Sequence, residues 1–315
     1  MTTVAVLVER HGDEVSQPTL EALTLGRSLG DVVAVWLGGE PGPDAVAQLG
    51  EYGATEVRVV APQVRVAAAV AAALEAAVGA ADVLVVVSTF VNKEIVTRLA
   101  LATGAGVVVD AAGAELVDGH VETFQTVFAA TWNVRTRIVA DRAIVGIRPN
   151  TTQAVPVEGA DAPAVVAVAF EPPTTREAVV AVEAVEASDG VPLAEAPVVV
   201  SGGRGTGGDY SLIREFAELL GGAVGASRDA TDEGWISHEH MVGQTGTTVT
   251  PALYVAAGIS GAVHHRGGMQ ASGTIVAVNL DPDAPIFEIA DFGVVGSLFD
   301  VLPAAIARIR EVRGA

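Results

Sequence analysis

The sequence predicts an α/β protein of two domains: an N-terminal doubly wound, mostly parallel sheet with antiparallel additions, and a C-terminal Rossmann-like parallel-sheet domain. Three observations carry this. The 315 residues suit roughly two domains of about 150 residues each. Short apolar runs alternate with helical segments in the first half of the chain. A second α/β series then opens at Pro197 with a strand, a glycine-rich loop and a helix.

Taken in order, Val4–Val8 reads as a strand, and a helix follows near Thr19, with Leu20, Leu23 and Leu25 on or near one face. Val32–Leu37 is a strand closed by Gly38-Gly39, Asp44–Leu49 a short helix, and Glu56–Val60 a strand. Val64–Val78 is an alanine-rich helix. The apolar run Asp82–Val87 has the composition of a strand buried on both faces of a parallel sheet. Asn92–Thr103 is a helix and Val107–Val109 a strand. Alternation of this kind predicts a doubly wound sheet. The pattern then changes. His120–Arg137, Ala143–Arg148, Val165–Phe170 and Ala178–Val185 have strand composition without intervening helices, which predicts a small antiparallel addition. Residues 186–196 have the glycine, proline and acidic content of a linker. The expected domains are therefore 1–185 and 186–315.

Composition narrows the chemistry. Half the residues are hydrophobic, but aromatics are only 4%, and small side chains suit closely packed sheets and helices. The absence of cysteine excludes disulfides, thiolate metal sites and cysteine nucleophiles. Redox chemistry would need a bound cofactor. A net charge of −20 argues against nucleic acid and anionic membrane surfaces, and favours partners with a basic patch. The longest apolar stretch falls short of the roughly 20 residues of a membrane span. With no basic leader segment, the expectation is a cytoplasmic protein.

The chemistry concentrates after Pro197. The strand Pro197–Ser201 leads into Gly202–Gly208, where Gly203, Gly205 and Gly208 match G-x-G-x-x-G before a helix at Tyr210–Leu220. In that context glycines let backbone N–H groups and a helix N-terminus approach a pyrophosphate. Val242–Thr247 is a second polar loop. Leu253–Met269, Ile275–Asp281 and Ile286–Gly293 each begin as a strand and bring small or polar residues to the same crevice. An NAD-dependent dehydrogenase using the Gly203–Gly208 loop is one reading, although Arg228 is a poor neighbour for Asp229 as a ribose ligand.

Five segments are more specific. Ser201–Gly205, Gly225–Arg228, Val242–Gly246, Gly258–Ala262 and Ala284–Phe287 stand in one order. Through them residues 197–301 resemble the FAD domain of electron-transfer flavoprotein alpha subunits. The first domain is similar more loosely, through its opening strand and Thr19–Leu25. The resemblance implies an electron carrier rather than an enzyme with its own substrate. It implies a heterodimer with a beta subunit reached through the first domain. Electrons would come from flavin dehydrogenases, such as the acyl-CoA dehydrogenases of fatty acid oxidation, and pass to a quinone reductase or similar acceptor.

The resemblance also implies site roles. Arg204 and Ser227 would hold the dinucleotide, with Ser260, Gly261 and Asn279 around the pyrophosphate and Asp291, followed by Phe292, at the adenosine ribose. Val242, Gly243, Gln244 and Thr245 would form the ring loop, with Thr245 at flavin N5 and Gln244 beside the ring or ribityl chain. Ala262, Val263 and His264 would continue the wall. His265 would approach the C2 carbonyl and Arg228 lie against the ring, where positive groups favour the reduced flavin. The chain departs from the family in His264, where glutamine is usual, and in Thr247, Gly273 and Leu280, where lysines are common. His238 and His240 read as a solvated loop rather than a metal site. Asp110 reads as a turn or capping residue, and Trp36, Trp132 and Trp235 as packing residues.

Overall fold

A computed structural model describes residues 2–62, 66–128, 132–181 and 191–314. Two compact units divide the chain, one drawn from residues 1–127 and 133–185, the other from residues 128–132 and 186–315.

The first unit opens with β1 (Thr3–Leu7), a small hairpin of β2 (Arg10–His11) and β3 (Glu14–Val15), and α1 (Gln17–Leu29). It continues through β4 (Asp31–Leu37), α2 (Pro43–Glu51), β5 (Ala54–Val60) and α3 (Ala67–Val78). Then come β6 (Val83–Val87), α4 (Phe90–Thr103), β7 (Gly106–Ala111), β8 (Gly113–Val117), β9 (His120–Val127) and β10 (Trp132–Arg137). β11 (Ala143–Ile147) and β12 (Ala164–Ala167) complete it. Seven strands form one sheet in the order β12-β5-β4-β1-β6-β11-β7, and every pairing in it is parallel.

Local sequence explains the elements. All five residues of β6 are buried, as expected of a strand with helices over both faces. In α3, Ala69, Ala73 and Ala77 are buried, and their small side chains let the helix lie close to the sheet. The Thr89 side chain accepts from Asn92 N at 3.1 Å to start α4, and Gly104, at φ +73°, ends it in a left-handed cap.

The antiparallel addition is smaller than the sequence predicts. It is the sheet β10-β9-β8, with β8 and β9 antiparallel. Residues 143–147 do not join it: β11 inserts in parallel between β6 and β7. β12 adds in parallel to the far edge beside β5. Strand composition marks a buried extended segment but not its neighbour, so the missing helix before β11 misdirects the sequence reading. Residues 178–181 form no strand. Val182–Val185, the linker residues 186–190, and Val64 with Arg65 of the expected helix lie outside the described residues.

Asp110, at φ +59°, is more than a turn residue. It accepts from Ser88 Oγ at 2.8 Å and pairs with Lys93 Nζ at 2.8 Å. Trp36 is buried and donates from Nε1 to the Gly39 carbonyl at 2.8 Å. Trp132, expected to pack, is exposed.

The second unit runs β13 (Val198–Gly202), α5 (Ser211–Leu220), β14 (Ala223–Ala226), α6 (Arg228–Asp232) and β15 (Leu253–Ala257). α7 (Val263–Met269), β16 (Thr274–Asn279), β17 (Phe292–Val295) and α8 (Leu298–Arg313) follow. Its parallel sheet has the order β14-β13-β15-β16-β17. The chain first winds outward from β13 to β14, then crosses back to β15. That reversal opens a crevice between the carboxyl ends of β13 and β15, where ligands of open α/β sheets bind. Residues 286–293 do not form one strand: Pro285–Glu288 is a 3₁₀ turn and only Phe292–Val295 is extended.

Candidate flavin site

The crevice holds a cavity of about 480 Å³. All five strands of the sheet contribute a carboxyl end or the turn after it: Arg204 and Gly205 after β13, Ser227 and Arg228 after β14, Gly258 to Ser260 after β15, Asn279 closing β16, and Gly296 to Ser297 after β17. Ala262, His264 and His265 form another part of the wall.

The glycines of the first loop serve loop packing. A β-carbon on Gly203 would stand 2.4 Å from the Gly258 carbonyl oxygen, and one on Gly205 2.6 Å from Gly258 Cα. Gly203 N donates to the Ala257 carbonyl and Gly205 N to that of Gly258, both at 3.0 Å. These two N–H groups are therefore committed to the facing loop and not to an anion, contrary to the motif's usual reading. Gly208, at φ +91°, lies against Trp235. Gly261, at φ +85°, presses on the Ile286 backbone.

The polar groups around this frame suit a dinucleotide. Arg204 and Arg228 are exposed, paired with Asp229 at 3.0 Å and Asp232 at 3.2 Å respectively. Asp229, the acidic residue that an NAD site would turn to a ribose, is thus engaged by Arg204. Ser227 starts α6 by accepting from Ala230 N. Asn279 donates from Nδ2 to the Ile259 carbonyl at 2.8 Å and accepts at Oδ1 from Asp281 N at 3.0 Å. Two guanidinium groups, the hydroxyls of Ser227, Ser260 and Ser297, and the Asn279 amide fit a diphosphate with sugars on either side.

Some expected residues lie elsewhere. Asp291 precedes β17 and so stands at the amino edge of a parallel sheet, opposite the cavity. Its Oδ2 accepts from Ile275 N, at the start of β16, at 2.8 Å. It steadies the sheet there and is not placed at a ribose; Phe292, beside it, is exposed and outside the cavity wall. The cavity instead takes Ser297 and Leu298, which the sequence reading passed over. Ser297 follows the strand end and Gly296, and its Oγ accepts from Phe299 N at 3.2 Å to cap α8. The strand, glycine, hydroxyl, helix order was the available signal.

Val242, Gly243, Gln244 and Thr245 are also outside the cavity wall. Gly243 packs against α7, where a β-carbon on Gly268 would lie 2.4 Å from Gly243 Cα. Gln244 N donates to the His264 carbonyl at 2.9 Å, and His264 Nδ1 donates to Gln244 Oε1 at 2.9 Å. The Gln244 side chain lies across Gly267, whose absent β-carbon would stand 2.7 Å from it. Thr245 and Val263 are exposed.

The two histidines differ sharply. His264 is exposed, whereas His265 is only 6% exposed. Nε2 of His265 lies 3.0 Å from the Tyr254 hydroxyl. Its Nδ1 is buried without a hydrogen-bond partner. Burial lowers its pKa to about 4, and the nearby Val242 carbonyl and Asp229 only partly oppose that. The imidazole expected as a positive group at the ring is therefore neutral at physiological pH. His238 and His240 sit in a 3₁₀ turn, where His240 Nδ1 donates to the Val224 carbonyl at 2.9 Å.

Among the described residues, no helix is long and apolar enough to cross a membrane. Residues 192–270 match the family described as the electron transfer flavoprotein FAD-binding domain. Residues 4–173 match the electron transfer flavoprotein domain. The chain is 40% identical to the electron transfer flavoprotein subunit alpha of Mycobacterium leprae (strain TN), over 100% of both chains. It is 32% identical to the subunit of the same name from Bacillus subtilis (strain 168), over 98% of both. It is also 32% identical to the protein FixB of Clostridium saccharobutylicum, over 98% of this chain and 96% of that one. FAD is accordingly the cofactor of the C-terminal domain. With both domains matched and full-length relatives above 30% identity, the chain belongs to the electron transfer flavoprotein alpha subunit family.

Proposed function

We propose that this chain is the alpha subunit of a heterodimeric electron carrier. It holds FAD in the crevice between β13 and β15 and passes electrons between protein partners without substrate chemistry of its own. The observation that carries this reading is the convergence of Arg204, Ser260, Asn279 and Ser297 on one cavity at the sheet reversal. Bound FAD supplies one- and two-electron redox chemistry that no side chain of a cysteine-free chain offers.

The residues have separable tasks in this reading. Arg204, with Ser260 and Asn279, neutralises and hydrogen-bonds the diphosphate. Ser227 and Ser297 serve the sugar hydroxyls. Arg228, His264 and His265 stand toward the ring, with Gln244 and Thr245 on the loop held against α7. The apolar side chains Ile259, Leu298 and Phe299 exclude water from the wall.

The partner is a beta subunit, bound through the N-terminal unit, in keeping with relatives named as alpha subunits along their whole length. The donors are flavin dehydrogenases such as acyl-CoA dehydrogenases, and the acceptor is a quinone reductase or similar protein. A net charge of −20 would steer this chain toward basic docking surfaces. The test is to purify the chain together with a beta subunit from the same organism, record its visible spectrum, and add a dehydrogenase with its acyl-CoA substrate. A yellow complex bleached only in the presence of both supports the reading. A colourless complex, or one reduced directly by NADH, overturns it.

A further inference from the structure

Large apolar side chains left in water are ordinary when scattered and informative when they rim a cavity. Among the described residues, two exposed large apolar side chains border the cavity: Leu280, 72% exposed, and Phe299, 45% exposed. Both stand at the same end of it. Leu280 follows Asn279, the last residue of β16, and Phe299 is the second residue of α8, just past the end of β17. Asn279 pairs with Val295, and Gly296 N donates to the Asn279 carbonyl at 2.9 Å, so the two turns are tied side by side. Each is also fixed from within. Asn279 Oδ1 accepts from Asp281 N, and Asp281 Oδ1 from Asp283 N, both at 3.0 Å. Ser297 Oγ accepts from Phe299 N at 3.2 Å.

Charge separates this end from the other. Beside β13 and β14 the cavity is bordered by the guanidinium groups of Arg204 and Arg228 against the single carboxylate of Asp229. Beside β16 and β17 the charged residue bordering it is Asp281. β14 and β17 are the outer strands of a five-stranded sheet, four strand spacings or about 19 Å apart. Reduction adds negative charge to a flavin ring, which guanidinium groups favour and a carboxylate opposes. Adenine gains no charge, and its amino group and the hydroxyls of its ribose can donate to a carboxylate. The isoalloxazine therefore belongs with the arginines and adenine with Asp281. A purine presents two flat faces that exposed apolar side chains can cover.

We propose that Leu280 and Phe299 form the adenine slot of the flavin site: Phe299 stacks on the purine and Leu280 closes over it. This end of the cavity then selects a flavin that carries adenine over one that does not. The proposal rests on the assignment of FAD to the cavity.

Deflavinated heterodimer, titrated with FAD by fluorescence and with ADP as a competitor, tests it. In Phe299→Ala, FAD and ADP should each bind about tenfold more weakly, by the same factor. The FAD that is bound should keep the wild-type visible spectrum and reduction potential. Phe299→Tyr should preserve both affinities. Leu280→Ser, at a side chain already in water, should weaken both severalfold. Loss of FAD affinity without loss of ADP affinity, or a shifted flavin spectrum, would put the isoalloxazine against Phe299 and overturn the proposal. So would unchanged affinity for both ligands in Phe299→Ala, or ADP that fails to compete with FAD in the wild type. A wild-type heterodimer that takes up no flavin fails the cofactor assignment itself; one that takes up FAD and ignores these variants fails the slot alone.

Discussion

Gly205 and Gly258 meet backbone to backbone across the reversal of the C-terminal sheet, so close that a β-carbon on either would fall within 2.7 Å of the other's Cα. The contact closes the floor of the crevice, and Gly258 holds it at φ +65°. Gly258→Ala meets both a clash and a left-handed backbone. Each effect costs about 1–3 kcal/mol. The expected outcome is a lower melting temperature and reduced flavin content, measured by calorimetry and by absorbance per protein. Full flavin content in a folded Gly258→Ala protein would remove the floor from the binding argument.

Arg204 and Asp229 form an exposed pair, so breaking it changes stability by less than about 1 kcal/mol. Their effects on FAD should oppose. Arg204→Ala loses a charge-assisted contact to phosphate, about 1.5–3 kcal/mol, or roughly ten- to hundredfold in Kd. Asp229→Asn frees the guanidinium and should hold or tighten binding. Fluorescence titration of deflavinated protein, at low and high salt, distinguishes the two. Equal weakening by both variants would contradict the assignment.

Asp291 and Ser297 lie at opposite edges of the same sheet, and substitutions should separate them. Asp291→Ala removes the acceptor for Ile275 N and should lower stability by about 1 kcal/mol with FAD affinity intact. Ser297→Ala should weaken FAD severalfold and also lose the α8 cap, worth about 1 kcal/mol. Chemical denaturation alongside FAD titration reads both quantities. A loss of affinity in the Asp291 variant would return that residue to the ligand.

His265 gives the fold a pH dependence of defined sign. Its folded pKa of about 4 lies below the ordinary value of about 6.5. As pH falls through the ordinary value, the unfolded chain takes up a proton that the folded chain refuses. Stability should therefore be insensitive to this group above about pH 6.5 and fall between there and about pH 4, by up to about 1.4 kcal/mol per pH unit. Urea midpoints at pH 7 and pH 5 measure this. His265→Gln should flatten the difference, and an unchanged slope in that variant would assign it to other groups.

Much of the C-terminal unit is legible in the sequence because its signals are local. Glycine loops after Ser201 and Ala257, Ser227 before a helix and Asn279 at a strand end each carry their position in neighbouring residues. Asp291 misled for the same reason: an acidic residue next to a strand looks alike at either end, and only the parallel register of β16 and β17 shows which edge it occupies. Residues 143–147 were readable as a strand but not as a parallel one, since insertion between β6 and β7 is decided by packing over long sequence separations. Tyr254 was invisible as a polar contact because it sits in an apolar run, and its hydrogen bond arises only when α7 brings His265 to it.

The outer strand β17 is exposed at all four positions, Phe292 to Val295, and carries no charge, proline or lysine to blunt it. An open strand of that composition is a template for aggregation. Handling follows from this: the chain should associate with its own copies at high concentration. Replacing Val294 by lysine is the simplest way to quieten the edge for study of the isolated chain.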